Sequence, residues 1–74
     1  METFYFTCGQ SHLHLIEEGV VWDKDSVLQV NALNSIDAKR IVIKRFGLRW
    51  SMQYTEKEIQ MDYYPDGICA IINE

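Results

Sequence analysis

The stretch Leu28–Gly47, LQVNALNSIDAKRIVIKRFG, decides the fold because it changes from the pattern of a strand to the pattern of a helix. In its first residues, the apolar side chains of Leu28, Val30 and Ala32 alternate with the polar side chains of Gln29 and Asn31. This period of two predicts a strand that buries one face. The residues that follow repeat apolar side chains every four positions, as a helix packed on a sheet does.

The helix is predicted to begin at Asn34 or Ser35 and to end at Gly47. Asn and Ser side chains accept hydrogen bonds from the free amides of a first helical turn, and Asp37 there favours the positive end of the helix dipole. Glycine is a common residue just beyond a helix C-terminus. We expect the apolar stripe to lie on the sheet; it consists of Ala38, Val42, Phe46 and the adjacent Ile43.

Other segments have strand patterns. Thr3–Cys8 and Trp50–Tyr54 alternate with a period of two, and the short pieces His12–Ile16 and Val20–Trp22 are typical of a hairpin. Ile68–Ile72 is apolar on both faces, which predicts the most central strand of the sheet.

These elements predict one α+β domain over residues 1–74, in the order ββ(β)αββ. We expect a small, largely antiparallel sheet of about four strands, with one main helix packed on one face. A chain of 74 residues with 47% apolar side chains is too short for two cores. It also leaves little room for an enclosed active site, so we expect a protein that is not an enzyme and uses no cofactor.

Five of the seven basic residues cluster in and just after the helix, although the chain has a net charge of −4. They are Lys39, Arg40, Lys44, Arg45 and Arg49. One interpretation is a basic helix ridge that binds nucleic acid or an acidic protein surface, with Trp50 as a stacking group. The other is a solvated helix face whose cations suit the negative end of the dipole.

A single helix leaves the opposite sheet face partly exposed, and aromatic side chains there would suit a partner protein. The best interface candidates by position are Tyr5, Trp22 and Tyr64. An uncovered face or edge of the sheet also predicts self-association as a homodimer.

His12 and His14 stand two residues apart, so one strand face could present both imidazoles to a metal ion. Two histidines on an exposed strand need no such explanation, and no second spaced pair accompanies them. Cys8 or Ser11 with a nearby histidine could suggest nucleophilic catalysis, but no third group stands at a diagnostic spacing. We expect Cys8 and Cys69 to be small buried thiols.

The chain has no apolar run long enough to cross a membrane, and its opening residues lack the pattern of a secretory signal. We therefore expect a cytoplasmic protein that does not act at a membrane.

The segments Phe4–His12 and Ala38–Gly47, followed by Trp50 and Tyr54, carry a resemblance to known proteins. The chain resembles small proteins encoded by phages, prophages and mobile elements of gut bacteria, which have a Phe-Tyr-Phe-Thr start, a Gly-x-x-His, an Ala-Lys/Arg helix ending in Phe-Gly and a Trp-x-x-x-Tyr strand. These motifs are architectural and imply no catalytic residue. Cys8 stands where Phe is expected, which argues against a required thiol.

The resemblance implies a context inside a bacterial host cell. Phage accessory proteins of this size often inhibit host machinery by stoichiometric binding, as anti-CRISPR and other anti-defence proteins do. We therefore expect an inhibitor that binds a host protein, such as a nucleic-acid-handling defence complex. The alternatives are a nucleic-acid-binding module that uses the basic helix and a small metal-binding protein that uses His12 and His14.

Overall fold

The computed structural model describes residues 1–74, which form strands, one α-helix and one short 3-10 helix. The elements in chain order are β1 (Glu2–Thr7), β2 (His14–Glu17), β3 (Val20–Trp22), β4 (Ser26–Ala32), α1 (Ser35–Phe46), β5 (Met52–Thr55), the 3-10 helix (Met61–Tyr63) and β6 (Gly67–Asn73). None of the helices combines the length and the apolar character that crossing a membrane requires.

Four strands form the main sheet in the order β5-β1-β4-β6, and β2 and β3 form a separate hairpin. β1 pairs antiparallel with both of its neighbours, with Phe4 opposite Val30 on β4 and Tyr5 opposite Tyr54 on β5. β4 and β6 run parallel, so the sheet is mixed. The predicted α+β fold and the predicted hairpin are confirmed.

The prediction that Ile68–Ile72 forms the central strand is wrong. β6 pairs with β4 alone and is an edge strand. Ala70 and Ile72 are half-buried on one side of it, whereas Ile68 and Ile71 are exposed on the other. An apolar strand therefore need not be covered on both faces, and β1 and β4 take the central places instead.

The core lies on one face of the sheet, which we call the helix side. The buried side chains of β1 and β4 on this side meet Ala38 and Val42 of α1; together they are Phe4, Phe6, Leu28, Val30 and Ala32. The hairpin closes the same side of the sheet, because fully buried Trp22 of β3 belongs to this cluster. The opposite side, which we call the open side, carries no helix longer than the 3-10 turn.

The ends of α1 follow the predicted chemistry. Asn34 is the cap, since its Oδ1 accepts a hydrogen bond from the amide of Asp37 at 2.9 Å. Gly47 follows the last turn at a φ of 69°, a conformation that glycine adopts without strain, and its amide donates to the carbonyl of Ile43 at 2.8 Å. The expected stripe is only partly correct, because Ile43 is exposed.

The connection between β5 and β6 is made of tight turns. The side chain of Glu58 accepts hydrogen bonds from the amide of Thr55 at 3.0 Å and from its hydroxyl at 3.1 Å. The capping-box spacing of Thr55 and Glu58 predicts a single helical turn, and one turn closes there, since the amides of Glu58 and Ile59 both donate to the carbonyl of Thr55 at 3.1 Å. The short 3-10 helix follows at Met61–Tyr63. The residues Tyr64-Pro65-Asp66-Gly67 have the pattern of a β-turn, with proline at the second position and glycine at the fourth. This turn forms, since the amide of Gly67 donates to the carbonyl of Tyr64 at 2.9 Å.

Candidate partner-binding surfaces

The five clustered basic residues all have exposed side chains. Arg40 forms the only ion pair among them, with Asp37 one turn earlier, and its atoms are 3.8 Å apart. This long, exposed pair contributes little to stability. The positive charge of this region is therefore left mostly uncompensated and accessible to a partner.

The basic residues do not form one continuous surface. Arg40 and Lys44 project from the side of α1 that faces away from Ala38 and Val42, and Lys39 lies on the flank of that side. Arg45 stands about 140° around the helix from Arg40, given 100° per residue, and its guanidinium lies 5.5 Å from the ring centroid of Phe46. Arg49 lies beyond the helix, with its carbonyl oxygen 2.6 Å from the Nε2 atom of His14.

Two isoleucines lie among the cations of the outer helix face. Ile36 is 64% exposed and Ile43 is 38% exposed, and they stand seven residues apart, on the same side of the helix. We call the surface formed by Ile36, Lys39, Arg40, Ile43 and Lys44 the helix ridge. The sequence contained the signal for it, since a helix with apolar residues on two opposite sides cannot bury both against one sheet.

Exposed leucines extend the apolar area at both ends of α1. Leu33 precedes the helix cap and Leu48 follows Gly47, and both side chains are largely exposed. Leucine gains about 1.5 to 3 kcal/mol when it is fully buried, so these positions leave stabilising burial unused in the isolated chain. A partner protein could supply that burial.

Trp22 is not on the surface, so its assignment as an interface residue is wrong. Its side chain is fully buried, stacked on His14 at a ring-centroid distance of 5.2 Å and edge-on to Phe46 at 5.3 Å. Its carbonyl oxygen accepts a hydrogen bond from the Cys8 thiol at 3.5 Å. The alternation within a strand of three residues does not reveal that the whole hairpin folds onto the core.

The other two aromatic candidates lie on the open side. Tyr5 is half-buried and faces Tyr54 across the β1–β5 pair. Burial raises the pKa of the half-buried Tyr64, as does the nearby Tyr54, and a hydrogen bond with Thr7 acts in the opposite direction. Tyr64 lines the same groove as Tyr54, so it lies against its own sheet.

Side-chain amides and hydroxyls satisfy one another across the open side. Asn31 accepts from the hydroxyl of Thr3 at 2.9 Å and from the amide of Gln29 at 3.3 Å, and it donates to Asn73 at 2.7 Å. This polar network joins β1, β4 and β6. Its groups already have partners within the chain, so they offer less to a second molecule than the helix ridge does.

The predicted nucleic-acid stacking group is occupied. Trp50 packs edge-on against Phe6 at a centroid distance of 5.1 Å, and its Nε1 atom donates to the carbonyl of Gly47 at 3.0 Å. The ring therefore stabilises the junction between α1 and β5, where these two contacts hold it within the chain.

The two histidines do not project from one strand face as predicted. β2 begins at His14, and His12 lies in the preceding loop with a buried Nδ1 atom that has no partner. The ring of His14 is held against Trp22 and Phe46. The one carboxylate group close enough to hold a cation consists of Asp23, Asp25 and Asp66 and contains neither histidine.

The surface grooves are open and shallow. The largest has a volume of about 410 Å³ and runs along the polar and charged residues at the ends of β1 and β5. Another of about 210 Å³ lies beside Tyr54, Tyr63 and Tyr64. Cys8, the only fully buried thiol, is free, and burial, together with Asp23 and Cys69, raises its pKa to about 11. Both cysteines are free thiols, but the expected burial is confirmed for Cys8 alone, since Cys69 is half-buried. Cys8 stays protonated near neutral pH.

Comparison with protein-family models, with curated proteins and with solved structures finds no match to this chain.

Proposed function

We propose that this protein acts without catalysis, by stoichiometric binding of its helix ridge to another protein. The observation that supports this proposal is the exposure of Ile36 and Ile43 among cations that have almost no acidic partners. Apolar anchors supply affinity by leaving water, and the charges around them direct and orient the encounter. A protein surface with both acidic and apolar residues is the partner that matches this arrangement.

The resemblance to phage-encoded proteins suggests which kind of protein the partner would be. An accessory protein of this kind would be an anti-CRISPR-like inhibitor, and its target would be a host protein of a nucleic-acid-handling defence complex. It would inhibit by covering a surface that the complex needs. A rigid helix packed on a sheet suits this role, since binding would order few new side chains and would lose little entropy.

Nucleic acid is the second candidate, because Lys39, Arg40 and Lys44 could also contact phosphates. Two observations favour a protein instead. The isoleucines interrupt the cations on the ridge, and Trp50, the candidate stacking group, is packed against Phe6. Binding to single strands usually needs stacking platforms as well as charge.

The direct test is affinity capture from a nuclease-treated lysate of the bacterial host, followed by mass spectrometry and determination of the molar ratio. The wild-type chain should retain one protein in a simple ratio. The charge-reversal variant Arg40→Glu/Lys44→Glu should retain at least about tenfold less, since several favourable contacts become repulsive. The matched control is Lys57→Glu, which reverses a charge at an exposed turn away from the helix.

A second variant separates the apolar contribution from the charge. Ile36→Ser/Ile43→Ser keeps every cation and should also reduce capture about tenfold. Equal capture by this variant and the wild type would contradict the proposal. A DNA duplex and an RNA strand, each titrated against all variants over a range of salt, provide the other arm. Tight binding that weakens steeply with salt and ignores the isoleucines would establish the nucleic-acid module instead.

A further inference from the structure

We propose that two copies of this chain pair antiparallel through the outer edges of their β6 strands, forming one continuous mixed sheet of eight strands across a two-fold axis. The argument rests on the difference between the two edges of the sheet. It is independent of the helix ridge.

The β6 edge is long and carries no charge. Its seven residues, Gly67–Asn73, include no Asp, Glu, Lys or Arg and no proline, and Ile71 in the second half is 56% exposed. Natural sheet edges that stay single are commonly blocked by charge, by proline or by shortness. β6 has none of these three protections; its one bulge lies in the first half of the strand, between Ile68 and Ala70, and leaves the pairing of Ile71–Asn73 regular.

The opposite edge, β5, is protected by its shortness and by the charged residues that follow it. β5 has only four residues, Met52–Thr55, and the chain leaves it directly into the charged turn that contains Glu56, Lys57 and Glu58. The side chain of Glu58 also bonds the amide of Thr55. The sheet therefore has one protected edge and one unprotected edge.

The backbone of β6 has hydrogen-bonding groups that point away from β4. The amide of Glu74 donates to the carbonyl of Asn31 at 2.9 Å, so Glu74 is directed toward β4. Successive residues of a strand direct their amides alternately to its two sides, so those of Ile71 and Asn73 point outward. They have no strand partner within the chain.

A second copy is the occupant that fits this edge. Two antiparallel β6 strands bring no like charges together. If Ile71 of one copy pairs with Ile71 of the other, the two exposed Ile71 side chains lie next to each other on the open side. Pairs of β-branched residues across strands are favourable. A two-fold axis that makes the strands antiparallel stands perpendicular to the sheet, so both α1 helices lie on the same side of the assembly. The dimer would present two helix ridges in one direction.

The test is analytical ultracentrifugation of the full chain from about 5 μM to about 500 μM, a range that covers weak and moderate dimers. The wild type should shift from monomer to dimer as its concentration rises. Ile71→Lys, which places two cations together at the axis, should remain monomeric throughout. The matched control Met52→Lys introduces the same charge at a half-exposed position on the protected edge and should dimerise like the wild type.

Hydrogen exchange keeps the test decisive if Ile71→Lys fails to fold. In the wild type, the amides of Ile71 and Asn73 should exchange several-fold more slowly at the high concentration than at the low one, whereas the amide of Tyr54 on β5 should not change. A wild type that stays monomeric at the highest concentration would overturn the proposal. So would a dimer that Met52→Lys disrupts while Ile71→Lys leaves it intact.

Discussion

The two sides of the sheet are stabilised by different chemistry, although the same strands form both. On the helix side, aromatic and aliphatic side chains such as Phe6, Trp22 and Phe46 pack in contact with one another. On the open side, the network around Asn31 and the half-buried tyrosines cover the strands with hydrogen-bonding groups. The comparison indicates that stability comes mainly from one side. The surface that combines exposed apolar side chains with unpaired positive charge lies farther out on that same side, on the outer face of α1.

The largest predicted difference between the two sides concerns their aromatic residues. Trp22→Ala removes a fully buried side chain and should lower the free energy of unfolding by about 3 to 5 kcal/mol. Tyr5→Ala removes a half-buried side chain on the open side and should lower it by about 1 to 2 kcal/mol. Urea unfolding followed by circular dichroism measures both values. Equal losses would mean that the open side contributes to the core as much as the helix side does.

The second prediction concerns the thiol on the helix side. A pKa near 11 for Cys8, against a usual value of 9.0, makes its thiolate about 100-fold scarcer at pH 8. Alkylation by iodoacetamide at that pH should therefore be at least about 100-fold slower at Cys8 in the folded chain than in urea, as followed by mass spectrometry of the peptide that contains it.

The same shift predicts a pH dependence of stability. The folded state holds the Cys8 proton more tightly than the unfolded state does. The protonated thiol therefore contributes its full share to the free energy of unfolding below about pH 9, and this share is lost as the pH rises toward 11. Urea midpoints of the wild type and of Cys8→Ala, measured at pH 8 and at pH 10.5, isolate it. The wild type should lose more stability than the variant over this interval, and parallel losses would refute the assignment.

A smaller effect is expected at the start of α1. Asn34→Ala removes the side-chain oxygen that accepts from the amide of Asp37 and should cost about 1 kcal/mol. Asn34→Asp keeps an acceptor at this position and serves as the control. Because the cap holds the first turn that presents Ile36, the Ala variant should also weaken partner capture slightly. A variant as stable as the wild type would show that packing alone fixes this end of the helix.

The smallest effect belongs to the polar network of the open side. Thr3→Val keeps the shape of the side chain and removes its hydrogen bond to Asn31, which should cost about 0.5 to 1 kcal/mol. Thermal unfolding of the wild type and the variant measures this loss, and repeating it at several protein concentrations separates it from any effect of dimerisation. A loss as large as that of Trp22→Ala would reverse the ranking of the two sides.

Local patterns in the sequence predicted the individual strands and the helix better than they predicted which strands lie side by side. The Asn34 cap, the Gly47 stop and the alternation along β1 and β4 depend on residues close in the chain, and all of them are confirmed. The place of β6 depends on its parallel pairing with β4, which joins Ser26 to Gly67. The alternation of residues within one strand cannot indicate a contact between residues so far apart in the chain.

The candidate surface was predictable only in part. The exposed cations of α1 could be located from the helix pattern alone, but the role of Trp22 could not, since β3 is too short for its alternation to indicate a buried side. The outward positions of Ile36 and Ile43 follow from helix geometry once Ala38 and Val42 are assigned to the core. That tyrosines such as Tyr64 pack on their own sheet depends on the path of the β5–β6 connection, which only the structure supplies.

The central claim is that a partner protein docks on the outer face of α1 and not on the open side of the sheet. Photocrosslinking in the host cell tests it most directly, with p-benzoylphenylalanine in place of Lys39 in one variant and of Tyr5 in another. We predict a covalent adduct of one defined mass from position 39 and none from position 5. An adduct from position 5 alone would contradict this account.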